Sequence, residues 1–182
     1  MKIIGPLMAE HRVIERMIAA MVLQTEQMAS RGQADTDLLA VAIDFLRSYA
    51  DRTHHGKEED ILFRELVRED LSPALRSAID GLVREHNIAR GRVTALIAAR
   101  EQYQQGKTEA FKDVIVSLRD ILAFYPQHIV REERDVFNPC LDYLTDAEQE
   151  AMLAEFREFD RTVIHEKYLK ITEQVEARGR GA

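Results

Sequence analysis

The chain of 182 residues has one cysteine, Cys140. A single thiol excludes an internal disulfide, and it excludes a zinc or iron–sulfur site built from several cysteines. Glycine and proline are also scarce, at eight and four residues, which favours helices over sheets. No apolar stretch reaches membrane-spanning length, and the N-terminal apolar run is too short for a signal peptide. We therefore expect a soluble, all-α protein of the cytoplasm.

The sequence also lacks an excess of positive charge. Its 25 Lys and Arg residues are outnumbered by 32 Asp and Glu residues, giving a formal net charge of −7. An acidic surface repels nucleic acid and anionic membranes, so the charge argues against both as partners. The length and the 46% content of hydrophobic residues suit one sizeable core.

Local signals divide the chain into helices joined by short loops. Gly32 follows the first helix, Ser72 and Pro73 start the third, and Thr145 with Glu148 forms a capping box that starts the fifth. Short loops favour antiparallel neighbours. We expect residues 1–144 to form an up-down-up-down four-helix bundle, with residues 145–182 as an additional C-terminal helix packed on the same domain.

What the sequence does contain is a short block that occurs twice. The first copy is His54-His55-Gly56-Lys57-Glu58-Glu59, and the second is His128-Ile129-Val130-Arg131-Glu132-Glu133. In each copy a glutamate follows the first histidine by four residues, which places the two on one helix face. A Glu-His dipeptide precedes each copy, as Glu10-His11 and Glu85-His86. The chain is therefore a degenerate tandem repeat.

Helical spacing indicates which of these side chains face the core. At about 100° per residue, His54 and Glu58 share a face with apolar residues, namely Ile43, Ala50 and Ile61. His55 instead shares its side with Ser48, Asp51 and Arg52. We therefore expect His54 and Glu58 to point inward, with His55 and Glu59 flanking them. The same reasoning turns four further side chains inward: His11, His86, His128 and Glu132. Pro126 lies two residues before His128, where the missing N–H predicts a kink or a bulge.

These inward residues form a convergent set of four imidazoles and two carboxylates. Buried carboxylates are costly unless they are paired or bound to metal, and a metal satisfies two of them more simply than arginine does. Imidazole and carboxylate ligands suit iron, manganese or zinc, and two bridging glutamates suit a pair of ions. With a bridging oxo or hydroxo group each ion is five-coordinate, which leaves a position for a small ligand such as oxygen.

The two blocks resemble the hemerythrin-like, or HHE cation-binding, family over about Met8 to Leu144. The resemblance implies a four-helix bundle around a non-haem di-iron centre with two bridging glutamates. Its implied ligands are His11, His54, Glu58, His86, His128 and Glu132. It implies a protein that binds or senses oxygen, peroxide or nitric oxide, or that handles iron. The alternative is a di-iron enzyme with peroxidase- or oxidase-like activity, and zinc or manganese are substitutes for iron. A third interpretation is a zinc site that serves only bundle stability.

Two positions depart from the oxygen-carrying hemerythrins. Those proteins have a second histidine one turn after the first on the third helix, where this chain has Arg90. Their fourth helix supplies an aspartate five residues after its histidine, whereas Glu132 follows His128 by four. With one imidazole fewer, oxygen is expected to be consumed rather than carried, and Arg90 is expected within reach of a bridging glutamate. Four residues remain open as further members of the site: His55, Glu59, Asp135 and His165.

Overall fold

The computed structural model describes residues 2–160 and 164–180, apart from the side chains of residues 164–166 and 180. Within this part the chain forms six helices and no strand. Their ranges are Ile4–Arg31 for α1, 36–66 for α2, Pro73–Gln104 for α3, 108–140 for α4, Asp146–Phe159 for α5 and Ile164–Arg180 for α6. The antiparallel packing of the first four confirms the all-α bundle prediction. The C-terminal extension consists of two helices rather than the expected one.

The helix boundaries follow from the local signals. Gly32 ends α1 with φ 66°, a left-handed conformation that suits glycine. The Ser72 hydroxyl accepts a hydrogen bond from the Leu75 amide at 3.2 Å, and Pro73 occupies the first turn of α3. Thr145 and Glu148 form the predicted capping box of α5. These local contacts set the short loops that make neighbouring helices antiparallel.

Helices α2 and α4 change type around the repeated blocks. The successive segments of α2 are α-helical Thr36–Asp44, π-helical Phe45–His55 and Glu58–Phe63, and α-helical Arg64–Leu66. The segments of α4 are 3₁₀ Thr108–Ala110, α-helical Phe111–Glu132, π-helical Glu133–Phe137 and α-helical Asn138–Cys140. The widened turns of α4 therefore follow Glu132, and Pro126 lies within its α-helical part. Because a π-helix bonds i to i+5, side chains there occupy faces that α-helical spacing does not predict.

A buried polar layer divides the core of the bundle into two apolar clusters. One cluster includes Ile14, Ala50, Val93 and Tyr125, and the other includes Leu7, Ile61, Leu82 and Val136. Along each bundle helix, the histidines that the sequence predicts to face inward lie between members of the two clusters. The inward histidines, with Glu58 and Glu132, are thus held in a buried layer across the middle of the bundle.

The two C-terminal helices pack on the outside of this layer. Helix α5 contacts the second π-helical segment of α2, and α6 contacts α1 and the first π-helical segment. Tyr168 of α6 is fully buried against the rings of Phe45 and Tyr49, and its hydroxyl donates to the Asp44 carboxylate at 2.6 Å. Across the described ranges, no helix combines the length and the apolar character needed to cross a membrane.

Candidate metal centre

Seven ligand-type side chains meet in the polar layer, and they form two groups. Site A contains His11, His54, Glu58 and Glu132, and site B contains His55, His86 and His128. Within each group, one ligand atom from every residue lies within 4.8 Å of those of the others. All seven side chains are buried, and together they come from all four bundle helices. The structure thus brings together the six residues singled out from the sequence and adds His55.

The two glutamates lie between the sites. One oxygen of Glu132, Oε2, lies 3.1 Å from Nε2 of His11 in site A. The other, Oε1, lies 2.8 Å from Nε2 of His128 and 3.2 Å from Nε2 of His86 in site B. Glu58 likewise has Oε1 at 3.7 Å from His54 and Oε2 at 3.4 Å from His86. Each carboxylate therefore faces histidines of both sites, which is the arrangement of a bridging ligand.

Several of these central atoms have no hydrogen-bond partner within the described residues. They are both carboxylate oxygens of Glu58, Oε2 of Glu132 and Nε2 of His128. A buried polar atom without a partner costs about 1–3 kcal/mol, and more when it is charged. The donor set fits a metal, since these are imidazole nitrogens and carboxylate oxygens aimed at a common space.

The two central carboxyl groups have opposite pKa shifts. Burial raises the pKa of Glu58 well above its usual value, and the charge of Glu132 raises it further. Burial also acts to raise the pKa of Glu132, but the charge of His128, together with the nearby rings of His11 and His86, outweighs it and holds that pKa well below its usual value. Two carboxylates in one dry layer repel, so the protein alone keeps one protonated and the other ionised. Cations placed between them allow both to ionise.

Carboxylates outside the layer orient the histidines. The Nδ1 atoms of His11, His54, His86 and His128 lie 2.6–2.9 Å from carboxylate oxygens. In the same order the partners, which we call the outer carboxylates, are Glu133, Glu10, Glu59 and Glu85. A carboxylate accepts the hydrogen bond, so each Nδ1 carries a proton, and in the neutral ring the Nε2 lone pair faces the centre.

The pairing of the outer carboxylates with the histidines is the same in both halves of the tandem repeat. The glutamate of each Glu-His dipeptide bonds the histidine of the following block, since Glu10 pairs with His54 and Glu85 with His128. The second glutamate of each block pairs with the histidine of a Glu-His dipeptide on another helix, Glu59 with His86 and Glu133 with His11. The sequence shows these dipeptides, but analysis of the sequence missed their role. Of the residues left open, Glu59 is an outer carboxylate, whereas Asp135 pairs with Arg134 at the surface.

The expectation that His55 lies on the flank of α2 is wrong. His55 is 1% exposed, and its ring stacks on His86 with the centroids 3.9 Å apart. The error comes from the helix type, because His55 ends an 11-residue π-helical segment in which α-helical angles do not hold. His54 and His55 therefore both reach the layer, one in each site. The side chain of His165 lies outside the described residues.

Arg90 does not reach the bridging glutamates. Its guanidinium donates to Asp51 and to Glu59, each at 2.8 Å. It is one-third exposed and lines a cavity of about 250 Å³, together with His55 and Tyr125. Arg90 thus holds Glu59, the outer carboxylate of His86. The expected contact between Arg90 and a bridging glutamate is not formed.

Comparison with known proteins supports the assignment of this layer as a cation site. The family model described as "Hemerythrin HHE cation binding domain" matches residues 2–140, which include all seven central residues and the outer carboxylates. Searches of curated proteins and of solved structures each found no match. The match covers most of the chain, and the chain therefore belongs to the hemerythrin HHE cation-binding domain family.

Proposed function

We propose that this protein holds two iron ions in the polar layer and uses them to bind or sense a small ligand such as oxygen, peroxide or nitric oxide. The observation that carries the proposal is the position of Glu58 and Glu132, whose oxygens face histidines of both sites. Three of these four oxygens lack a hydrogen-bond partner in the described part of the chain. Zinc and manganese accept the same donors and are the substitutes to test.

The seven side chains divide unequally between the two ions. In site A, His11 and His54 act with one oxygen from each glutamate, giving four protein donors. In site B, His55, His86 and His128 act with the other oxygens, giving five. An ion that prefers six donors then has more room in site A, so we place the external ligand there. His55 is the residue that makes the two ions inequivalent.

The surrounding residues define what the centre can do. When bound, a pair of iron ions supplies ligand binding and one-electron chemistry. The outer carboxylates hold the imidazole tautomers, and the two apolar clusters keep water from the layer. Beside site B, His55 lines a cavity of about 250 Å³, which is smaller than common pockets for organic substrates.

An enzyme is the second candidate, because the same metal chemistry would also support the reduction of peroxide. Anaerobic loading with ferrous iron, followed by titration with nitric oxide, tests the binding function. We expect an optical change that saturates near one or two ligands per chain and that His54→Ala abolishes. If the spectrum of the iron-loaded protein does not change with nitric oxide, oxygen or peroxide, the result contradicts the proposal. Sustained turnover of peroxide with a reductant favours the enzyme instead.

A further inference from the structure

The four outer carboxylates each contact a cation, and one of these cations differs from the rest. Arg12 pairs with Glu133, Arg90 with Glu59, Arg131 with Glu85 and Lys57 with Glu10. The three arginines are between 35% and 53% exposed, whereas Lys57 is fully buried. Solvent screens the arginine charges, but it does not screen the charge of Lys57. Of the four outer carboxylates, Glu10, which links His54 to Lys57, therefore has the strongest electrostatic interaction with its cation.

Lys57 is buried because α5 covers it. Its ammonium group lies 5.5 Å from the centre of the Phe156 ring and donates to the Asp160 carboxylate at 2.7 and 3.0 Å. The neighbouring Gly56 leaves room for Phe159, since a Cβ there would lie 3.3 Å from that ring. A buried ammonium needs anionic partners, and here Glu10 and Asp160 both contact it. Asp160 lies beyond the residues that match the family model.

Among the described residues, the second repeat shows no equivalent of this contact. Arg131 stands at the position that corresponds to Lys57, and it also bonds the outer carboxylate of its half, Glu85, at 2.8 Å. Its side chain is 38% exposed. The hydrogen-bonded series around His54 and His128 thus start alike, but within the described residues only the first ends on a carboxylate at the end of a C-terminal helix, that of Asp160.

We propose that Asp160 tunes the iron ion of site A through Lys57, Glu10 and His54, and so couples helix α5 to the oxidation state of the centre. Asp160 draws the Lys57 charge away from Glu10. Glu10 then accepts more strongly from the N–H group of His54, and the imidazole becomes a stronger donor to the ion. A stronger donor and a nearby negative charge both favour the ferric state. The proposal rests on the two-iron function above.

Coupling of this kind is reciprocal. If the contact between Asp160 and Lys57 stabilises the ferric state, then oxidation strengthens that contact by the same free energy. Helix α5 is therefore held more firmly in the diferric protein than in the diferrous protein. The end of α5 is thus the element through which a change at the buried centre reaches the surface.

Redox titration of the full-length, iron-loaded protein tests the charge argument. Asp160→Asn removes a negative charge and is expected to shift the midpoint potential of site A upward. Lys57→Met removes a positive charge and is expected to shift it downward. A residue that only supports packing does not give shifts of opposite sign. The control is Glu155→Gln, which breaks the surface ion pair between α5 and Arg64 and is expected to leave the potential unchanged.

Hydrogen exchange gives a second readout. In the wild type, backbone amides of residues 146–159 are expected to exchange more slowly in the diferric than in the diferrous state, and Asp160→Asn is expected to remove that difference. Unchanged potentials in both variants, or shifts of one sign, overturn the proposal even if the protein holds two irons. A wild type that holds fewer than two irons overturns the proposed function instead. Should Lys57→Met fail to fold, an unchanged potential in Asp160→Asn alone overturns the coupling.

Discussion

The Nε2 atoms of His11 and His54 lie 2.9 Å apart inside the bundle. Each ring donates its Nδ1 proton to a carboxylate, His11 to Glu133 and His54 to Glu10. With both rings neutral, two lone pairs face each other, and that contact is repulsive. A cation relieves it, either as a metal ion or as a second proton on one ring. The bundle is thus organised around a positive charge at this point.

Replacing His55 tests whether it belongs to site B. His55→Ile copies the second repeat, where buried Ile129 stands at the corresponding position. We expect the iron content to fall from two ions per chain toward one, because site B loses one of its three imidazoles, while site A keeps its donors. Elemental analysis after anaerobic loading measures this. If His55→Ile retains two irons per chain and its spectrum is unchanged, His55 is not a ligand of site B and serves only in packing. His54→Ala, the matched change one residue earlier, is expected to weaken site A.

The outer carboxylates can be tested at Glu85, which is not a ligand in the proposed centre. Glu85→Gln keeps the shape of the side chain but weakens its hold on the Nδ1 proton of His128. Loss of such a partner commonly lowers metal affinity about 10- to 100-fold. Competition with a chelator measures the change. The control is Glu26→Gln, which breaks the exposed ion pair with Arg119 far from the layer and is expected to have no effect.

The metal-free protein should become less stable in mild acid because of His55. Burial, followed by the charges of His86 and His128, holds the pKa of His55 well below its usual value. Unfolded His55 takes up a proton below about pH 6.5, and the folded residue does not, so acid favours unfolding. We expect the stability of metal-free His55→Ile to fall less steeply below pH 6.5 than that of the wild type, by up to about 1.4 kcal/mol per pH unit. Urea unfolding at several pH values measures it. Parallel pH profiles contradict the prediction.

The sequence predicted much of the fold because its signals are local. Caps such as Ser72 and Thr145 act within a few residues, and the short loops set the antiparallel order. The inward histidines His11 and His86 lie in α-helical segments, where spacing predicts the face correctly. The predicted position of His55 was wrong because no local signal in the sequence indicates the π-helical segment that contains it. The contact between Lys57 and Asp160 was invisible for another reason, since it joins residues far apart in the chain through the packing of α5.

The fifth imidazole also changes the expected reactivity with air. Oxygen consumption was expected from a centre with four histidines, but the structure places His55 beside His86 and His128. A neutral imidazole stabilises the ferrous state better than the hydroxide that would replace it. We expect the fraction of His55→Ile that keeps both ferrous ions to oxidise in air about tenfold faster than diferrous wild-type protein, a difference of about 1.4 kcal/mol in activation free energy. Stopped-flow absorbance measures both rates, and equal rates contradict the prediction.

The count of metal ions per chain tests the central claim most directly. Protein loaded with ferrous iron under nitrogen, freed of excess metal and assayed for iron and for protein, is expected to contain two ions per chain. Glu132→Gln, which removes a carboxylate shared by both sites, is expected to reduce the content of both. Two ions per chain in the wild type, with loss from both sites in the variant, agrees with the bridged centre. At most one ion per chain in the fully loaded wild type contradicts it.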